Sequence, residues 1–325
     1  MKNKIIVIGA GAWGTALANL LAQKNSDVCL IANKSEIVDE INQKHSNHNF
    51  LPNILSYNLK SSQNLEEEAL QADFIFIVTP SGATTNLLQQ IAKLKLKQNC
   101  GLVLCSKGLD GSGSKFFHQI IEEILPQKNY AILSGPNFAA EVANQTPTIT
   151  TIASKNQDFA AQIIVLLQNQ YFKAEFSQDV VAAEICGVIK NIIAIGCGIV
   201  DGLELGQNAK AALVLQGIKE IKLLCQKLGS TGEVINAAGF GDIFLTCAST
   251  KSRNNSLGLM IAQGQKPSEL LGKKTYEGAV SAKTIEQLAT KLQLQLTLCK
   301  TVSYILQNNL QKDGMRAQII DALIG

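Results

Sequence analysis

The sequence predicts an α/β fold, an N-terminal doubly wound sheet followed by an all-α C-terminal domain. Three observations carry this. Short β-branched runs alternate with helical patterns through the first half of the chain. A glycine cluster stands between the first such run and the first helix. Beyond about residue 178 the strand signals stop and long helical periodicities take over. Repeated strand-then-helix order implies an open, mostly parallel sheet with helices on both faces, because parallel neighbours need crossover connections.

The elements follow in order. Lys4–Ile8 reads as a strand, then come glycines and a helix over Thr15–Lys24. Asp27–Ala32 is the second strand. Phe74–Thr79 is an apolar run closed by Pro80, the pattern of a strand buried on both faces. Leu102–Cys105, Ala131–Leu133, Thr148–Ala153 and Tyr171–Glu175 are further strands, with helical periodicity over Phe159–Gln168. The second half reads as helices over Val180–Val200, Ala209–Leu228, Ser281–Leu292 and Thr297–Asn308. This divides the chain into domains 1–178 and 179–325.

Composition narrows the function. With 46% hydrophobic and 17% charged residues, the chain has material for a large core and little case for disorder. A net charge of +3, with lysines scattered rather than clustered, argues against a nucleic-acid partner. The eight cysteines form no CxxC pair and lie mostly in apolar runs, so they read as buried reduced thiols. His45 and His48 have no carboxylate or thiol company, and no metal is expected there. The start, Met1-Lys2-Asn3-Lys4, passes straight into a strand without a secretory pattern. The longest apolar stretch, Ile185–Val200, is interrupted by Lys190 and Asn191 and reads as too short and too polar to span a bilayer. A cytoplasmic location is expected.

Gly9-Ala10-Gly11-Ala12-Trp13-Gly14 matches GxGxxG. The pattern alone is weak, but here it follows a strand and opens a helix, the context of a Rossmann-type dinucleotide site. Gly9 permits a tight turn, Gly11 lets the backbone approach a pyrophosphate, and Gly14 lets helix and sheet pack closely. The helix N-terminus offers free N–H groups to the anion. At the tip of the second strand the sequence reads Ala32-Asn33-Lys34-Ser35, with no carboxylate before Glu36. An acidic residue there normally bonds the ribose 2′-hydroxyl of NAD. Asn33 and Lys34 instead suit a 2′-phosphate, so NADP(H) is expected, alone or beside NAD(H).

Lys190 and Asn191 stand mid-helix between apolar residues. Desolvating an ammonium is costly, so such a lysine either snorkels to the edge of the core or serves chemistry. A desolvated lysine has a lowered pKa and can exchange a proton near neutrality, as a ketone being reduced requires. A cation also stabilises the charge that develops on the oxygen. Asp242, between glycines and an apolar run, can pair with a lysine and hold it in place, and can also serve as a helix N-cap, the one role not excluding the other. Ser252-Arg253-Asn254 is either a polar loop or an anion site. Ser106-Lys107-Gly108 and Ser134-Gly135-Pro136-Asn137-Phe138 each follow a strand, where ligands of open α/β sheets bind.

Taken together, these segments resemble the bacterial-type NAD(P)-dependent glycerol-3-phosphate dehydrogenases. Matching motifs run in order across nearly the whole chain: Gly9–Gly14, Val78-Thr79-Pro80-Ser81, Ser106–Leu109, Ser134–Ala139, Lys190–Gly196, Asp201-Gly202, Asn208–Lys210, Gly239–Leu245, Ser252–Asn254 and Glu277-Gly278. The resemblance implies that Lys190 accepts the proton in glycerol-phosphate oxidation and donates it in dihydroxyacetone-phosphate reduction. It implies that Asp242 is catalytic beside it, orienting that lysine. Lys107, Gly135, Asn137, Lys190, Asp242, Ser252, Arg253 and Asn254 are matched to substrate binding. Gly9, Gly11, Ala12, Trp13, Gly14, Asn33, Lys34, Lys107, Ala139, Arg253 and Glu277 are assigned to the cofactor. Ala12 departs from a serine common in relatives, which removes a side-chain bond to phosphate but not the backbone contacts. A homodimer and a role in supplying glycerol phosphate for phospholipid synthesis are implied in the same way. Two rivals remain: a dehydrogenase of the same plan acting on another hydroxy acid or hydroxyacyl substrate, and a non-catalytic NAD(P) sensor.

Overall fold

The structure, a computed structural model, describes residues 3–25, 27–110, 112, 115–274 and 276–324. It divides into two compact units, Met1–Ser106 with Phe117–Val180, and Lys107–Phe116 with Val181–Gly325.

The first unit is an eight-stranded sheet. Its strands are β1 (Ile5–Ile8), β2 (Val28–Ile31), β3 (Leu59–Ser62), β4 (Phe74–Ile77), β5 (Gly101–Leu104), β6 (Tyr130–Ser134), β7 (Thr148–Ala153) and β8 (Phe172–Ser177). They lie in the order β3-β2-β1-β4-β5-β6-β7-β8. All neighbours are parallel except β6 and β7. Every residue of β1, β2, β4 and β5 is buried, as a sheet covered by helices on both faces requires. β3 has no counterpart in the sequence reading. It is a short edge strand, Leu-Lys-Ser-Ser, with alternating burial, and a lysine on an exposed edge discourages further pairing.

The strand order reverses at β1, which pairs with β2 on one side and β4 on the other. Such a switch point leaves a crevice beyond the strand ends. Gly9 follows β1 there with φ +117°, and a Cβ on it would sit 2.5 Å from the carbonyl oxygen of Val78, just past β4. A Cβ on Gly14 would meet the Gly9 carbonyl oxygen at 1.8 Å. Both glycines are therefore demanded by the protein's own packing.

The second unit is built around helix Val180–Gly202, two residues longer than the periodicity suggested. By length and composition this helix could cross a bilayer, contrary to the sequence expectation. Yet 94% of its most apolar window is buried inside the protein, so it is the core helix of this unit. Glycines bring its neighbours close: a Cβ on Gly258 would lie 2.0 Å from the Ile195 carbonyl oxygen, and one on Gly198 2.0 Å from that of Asn255. Helix Arg253–Ala262 thus crosses the core helix almost backbone to backbone. Glu220, fully buried on helix Gln207–Lys227, accepts the N–H groups of Leu298 and Cys299 and so caps helix Thr297–Gln307. All eight cysteines are buried thiols.

A boundary at 178 overlooks residues 107–116. This segment belongs with the helical unit because Lys107 pairs with Asp242 while Leu109 and Phe116 join the helical core. Nothing in its local sequence separates it from the strand loops around it.

Candidate active site

The helical unit gathers a compact cluster of charge. Asp242 opens helix Asp242–Ala248, directly after a single π-helical turn over Ala237–Gly241. Such wide turns recur at functional sites. Asp242 does not act as an N-cap, one of the two roles its sequence context allowed. Its carboxylate binds two lysines instead, Lys190 Nζ on Oδ1 at 2.5 Å and Lys107 Nζ on Oδ2 at 2.5 Å. Asp242 and Lys190 are almost fully buried, at 2% and 9% side-chain exposure, while Lys107 keeps 22%. Lys190 therefore does not snorkel; its ammonium ends inside the unit on a carboxylate.

One residue without a place in the sequence reading completes the cluster. Thr246 Oγ accepts from Lys190 Nζ at 3.1 Å and donates to the Asp242 backbone carbonyl at 2.6 Å. It lies four residues after Asp242 on the same helical face, and that spacing was its one sequence signal.

The three charges titrate differently. Desolvation, reinforced by the Lys107 charge, outweighs Asp242 and pulls Lys190 down to about 8. Desolvation acts downward on Lys107 as well, but there the Asp242 charge prevails, with a contribution from Glu277, and its pKa is raised. Burial alone would raise the Asp242 carboxyl; the two lysines overcome it and hold the carboxyl below its usual range. The cluster thus combines a lysine and a carboxyl whose charged forms are favoured with one lysine lowered to about 8.

A second network runs beside it. The Gly278 N–H donates to Asn254 Oδ1 at 3.1 Å, Asn254 Nδ2 to Asn191 Oδ1 at 3.0 Å, and Asn191 Nδ2 to the Gly187 carbonyl at 3.3 Å. Asn191 follows Lys190 on the core helix, so the network ties Asn254 to the same element. A Cβ on Gly278 would fall 2.7 Å from the Asn191 carbonyl oxygen and 2.8 Å from Asn254 Oδ1. Gly278→Ala is expected to destabilise the protein by about 1–3 kcal/mol through overpacking, read as a lowered Tm; an unchanged Tm would contradict the packing. Ser252 caps helix Arg253–Ala262 by accepting the Asn255 N–H. Arg253 is exposed on the first turn of that helix, and Glu277 is half-buried at the start of helix Glu277–Leu292.

The sheet unit holds the remaining residues. Helix Ala12–Lys24 begins after Gly11 with no side-chain cap, and a Cβ on Gly11 would meet nothing within 4 Å. Unlike Gly9 and Gly14, Gly11 faces open space. Trp13 packs partly buried against the sheet core. Asn33 and Lys34 are exposed beyond β2. Gly135 is held tightly: its Cβ would lie 2.8 Å from the Thr150 Cα. The Asn137 amide spans to β7, donating to the Ile149 carbonyl at 3.1 Å and accepting from Thr150 Oγ at 3.0 Å. Ala139 starts the short helix Ala139–Ala143, which packs on helix Ala12–Lys24.

Comparison with known proteins decides the family. Residues 4–160 match the model for the NAD-dependent glycerol-3-phosphate dehydrogenase N-terminus, and residues 179–316 the model for its C-terminus. This chain belongs to the NAD-dependent glycerol-3-phosphate dehydrogenase family. A glycerol-3-phosphate dehydrogenase [NAD(P)+] of Parvibaculum lavamentivorans is 36% identical over 321 residues, covering 98% of this chain and 96% of its own. One from Bacillus anthracis is 37% identical over 320 residues, covering 96% and 94%. The crystal structure of the Coxiella burnetii glycerol-3-phosphate dehydrogenase superposes with a TM-score of 0.92 at 33% identity, covering 100% of this chain and 99% of that one. Members of this family are NAD(P)-dependent oxidoreductases, and the Rossmann-type sheet with a helical C-terminal domain is the architecture seen here.

Proposed function

We propose that this dehydrogenase catalyses reversible hydride transfer between NAD(P)H and C2 of dihydroxyacetone phosphate, giving sn-glycerol 3-phosphate. The observation that carries the mechanism is the single buried carboxylate of Asp242 holding two lysines, of which only Lys190 is depressed to about 8. When bound, the nicotinamide supplies or receives the hydride. The residues that would hold the dinucleotide fit it. The uncapped start of helix Ala12–Lys24 and the open side of Gly11 suit a pyrophosphate. The resemblance assigns Asn33, Lys34, Ala139, Arg253 and Glu277 to the cofactor as well.

Lys190 gives its proton to the C2 oxygen during reduction and takes it back during oxidation. Asp242 and Thr246 fix its direction. Lys107, held protonated, supplies the positive charge that stabilises the oxygen as it becomes an alkoxide. Arg253 and Asn254 bind the phosphate, with Ser252 ordering the helix start beneath them. Gly135 and Asn137 shape the substrate loop; the Asn137 amide is braced on β7 through Oδ1 and one Nδ2 hydrogen, which leaves its second N–H for the substrate.

A panel of small ketones and hydroxyacyl substrates, with NADPH oxidation followed by its absorbance, tests the assignment. Dihydroxyacetone phosphate should give the highest kcat/KM; a clear preference for an unphosphorylated ketone would reject it. The absence of a carboxylate at Asn33-Lys34 favours NADP(H), and a measured preference of more than about tenfold for NADH would reject that part. Cytoplasmic action without a metal, homodimer formation and supply of glycerol phosphate to phospholipid synthesis complete the reading.

A further inference from the structure

Asn47 has no assigned role, yet it is fully buried and reaches the glycine loop from 33 residues past Gly14. Its Nδ2 donates to the Ala10 carbonyl at 3.0 Å and to Thr15 Oγ at 2.8 Å. A carbonyl can only accept, so the amide has one possible orientation. Thr15 Oγ is itself 3.5 Å from the same carbonyl. Asn47 is anchored in turn: its own carbonyl accepts the N–H groups of Phe50 and Leu51. The same connection is tied to helix Ala12–Lys24 further on, where the Ser56 N–H donates to Asn19 Oδ1 and Ser56 Oγ to the Ala22 carbonyl.

The consequence follows from peptide geometry. Carbonyl and N–H of a trans peptide point in opposite directions. Holding the Ala10 oxygen on the buried Asn47 amide therefore turns the Gly11 N–H to the opposite side of that peptide, away from Asn47. We infer that Asn47 is a positioning residue for cofactor binding: it sets the orientation of the Ala10–Gly11 peptide, so that the Gly11 N–H is aimed at the pyrophosphate before the dinucleotide arrives. Its Oδ1 is buried with no hydrogen-bond partner among the described residues. An asparagine kept only for packing would not strand an acceptor; one kept for its two donors does. Preorganised donors bind an anion without paying to reorient, which is the gain Asn47 supplies. This inference rests on the reading that the pyrophosphate lies on Gly9–Gly14.

Trp13 is the chain's one tryptophan and lies inside this loop, so its fluorescence reports the loop directly. In Asn47→Ala the Kd for NADPH, read by Trp13 quenching, is expected to rise roughly tenfold, the value of one buried hydrogen bond. The Kd for NADH should rise by the same factor, because both cofactors share the pyrophosphate. The emission of the cofactor-free variant should shift, while kcat and the KM for dihydroxyacetone phosphate at saturating NADPH stay within about twofold of wild type. Asn47→Ser leaves a smaller void and gives the same readings if the alanine variant does not fold. Unchanged cofactor Kd in a folded variant overturns the inference, as does weakening confined to NADPH, which would place Asn47 at the 2′-phosphate end. A parallel loss of kcat and substrate binding also overturns it, because that marks a general structural role. Failure of the wild-type protein to bind either dinucleotide would instead refute the underlying reading.

Discussion

Lys190→Ala is expected to lower kcat by at least about 10²-fold, the contribution of a positioned proton donor. The fold should survive the change. Removing Lys190 leaves Asp242 paired with Lys107, so no buried carboxylate is stranded. The loss should fall on kcat more than on KM, because in the proposed mechanism Lys190 acts on the oxygen while Arg253 and Asn254 hold the phosphate. The pH dependence gives an independent check. Oxidation needs the neutral amine, so its rate should climb with pH through about 8; reduction needs the ammonium, so its rate should decline above about 8. Both limbs should vanish in the alanine variant, with only background dependence left. Near-wild-type turnover, or an unchanged pH profile, would remove Lys190 from the reaction.

The part of the fold that the sequence declares is the part where one rule dominates locally. Strands buried on both faces, such as Phe74–Ile77, show as unbroken apolar runs, and Lys190 shows because an ammonium has no cheap reason to stand in such a run. β3 escapes because an edge strand needs only Leu59 and Ser61 inward, and two inward residues make no pattern. Thr246 and Asn47 escape for another reason. Threonine and asparagine suit many surroundings, and their roles come from partners far away in the chain: 56 residues for Thr246 on Lys190, 37 for Asn47 on Ala10. Lys107 was visible as a loop lysine, but its membership of the helical unit depends on Asp242, 135 residues on. Chemistry that depends on a charge is therefore legible in one sequence, while the neutral groups that aim it become visible only when the contacts are known.

Asp242→Asn is expected to damage both stability and turnover, in ways that tell its two functions apart. The substitution keeps the shape but removes the one anion bound to two lysines, leaving both cations in a desolvated cluster. Breaking a buried pair in this way costs about 3–5 kcal/mol. Its pH dependence has a definite sign. In the wild type the folded Asp242 carboxyl is depressed, so its contribution is complete above the unfolded value of about 3.9 and fades as pH falls through the folded value. The variant should lack that acid limb. At the alkaline end the stranded lysines shed protons at lower pH in the folded state than in the unfolded one, so the variant should regain stability relative to wild type as pH rises. For catalysis, loss of the counter-charge should move the apparent kinetic pKa below about 8 and lower kcat by about 10²-fold. If Asp242 acts through Lys190, combining Asp242→Asn with Lys190→Ala should reduce kcat little further than Lys190→Ala alone, because residues that work as a unit are not additive. The double variant should also be more stable than Asp242→Asn, since one of the two stranded cations is gone. Fully multiplicative rate losses would mean that Asp242 serves the reaction independently of the lysine it holds.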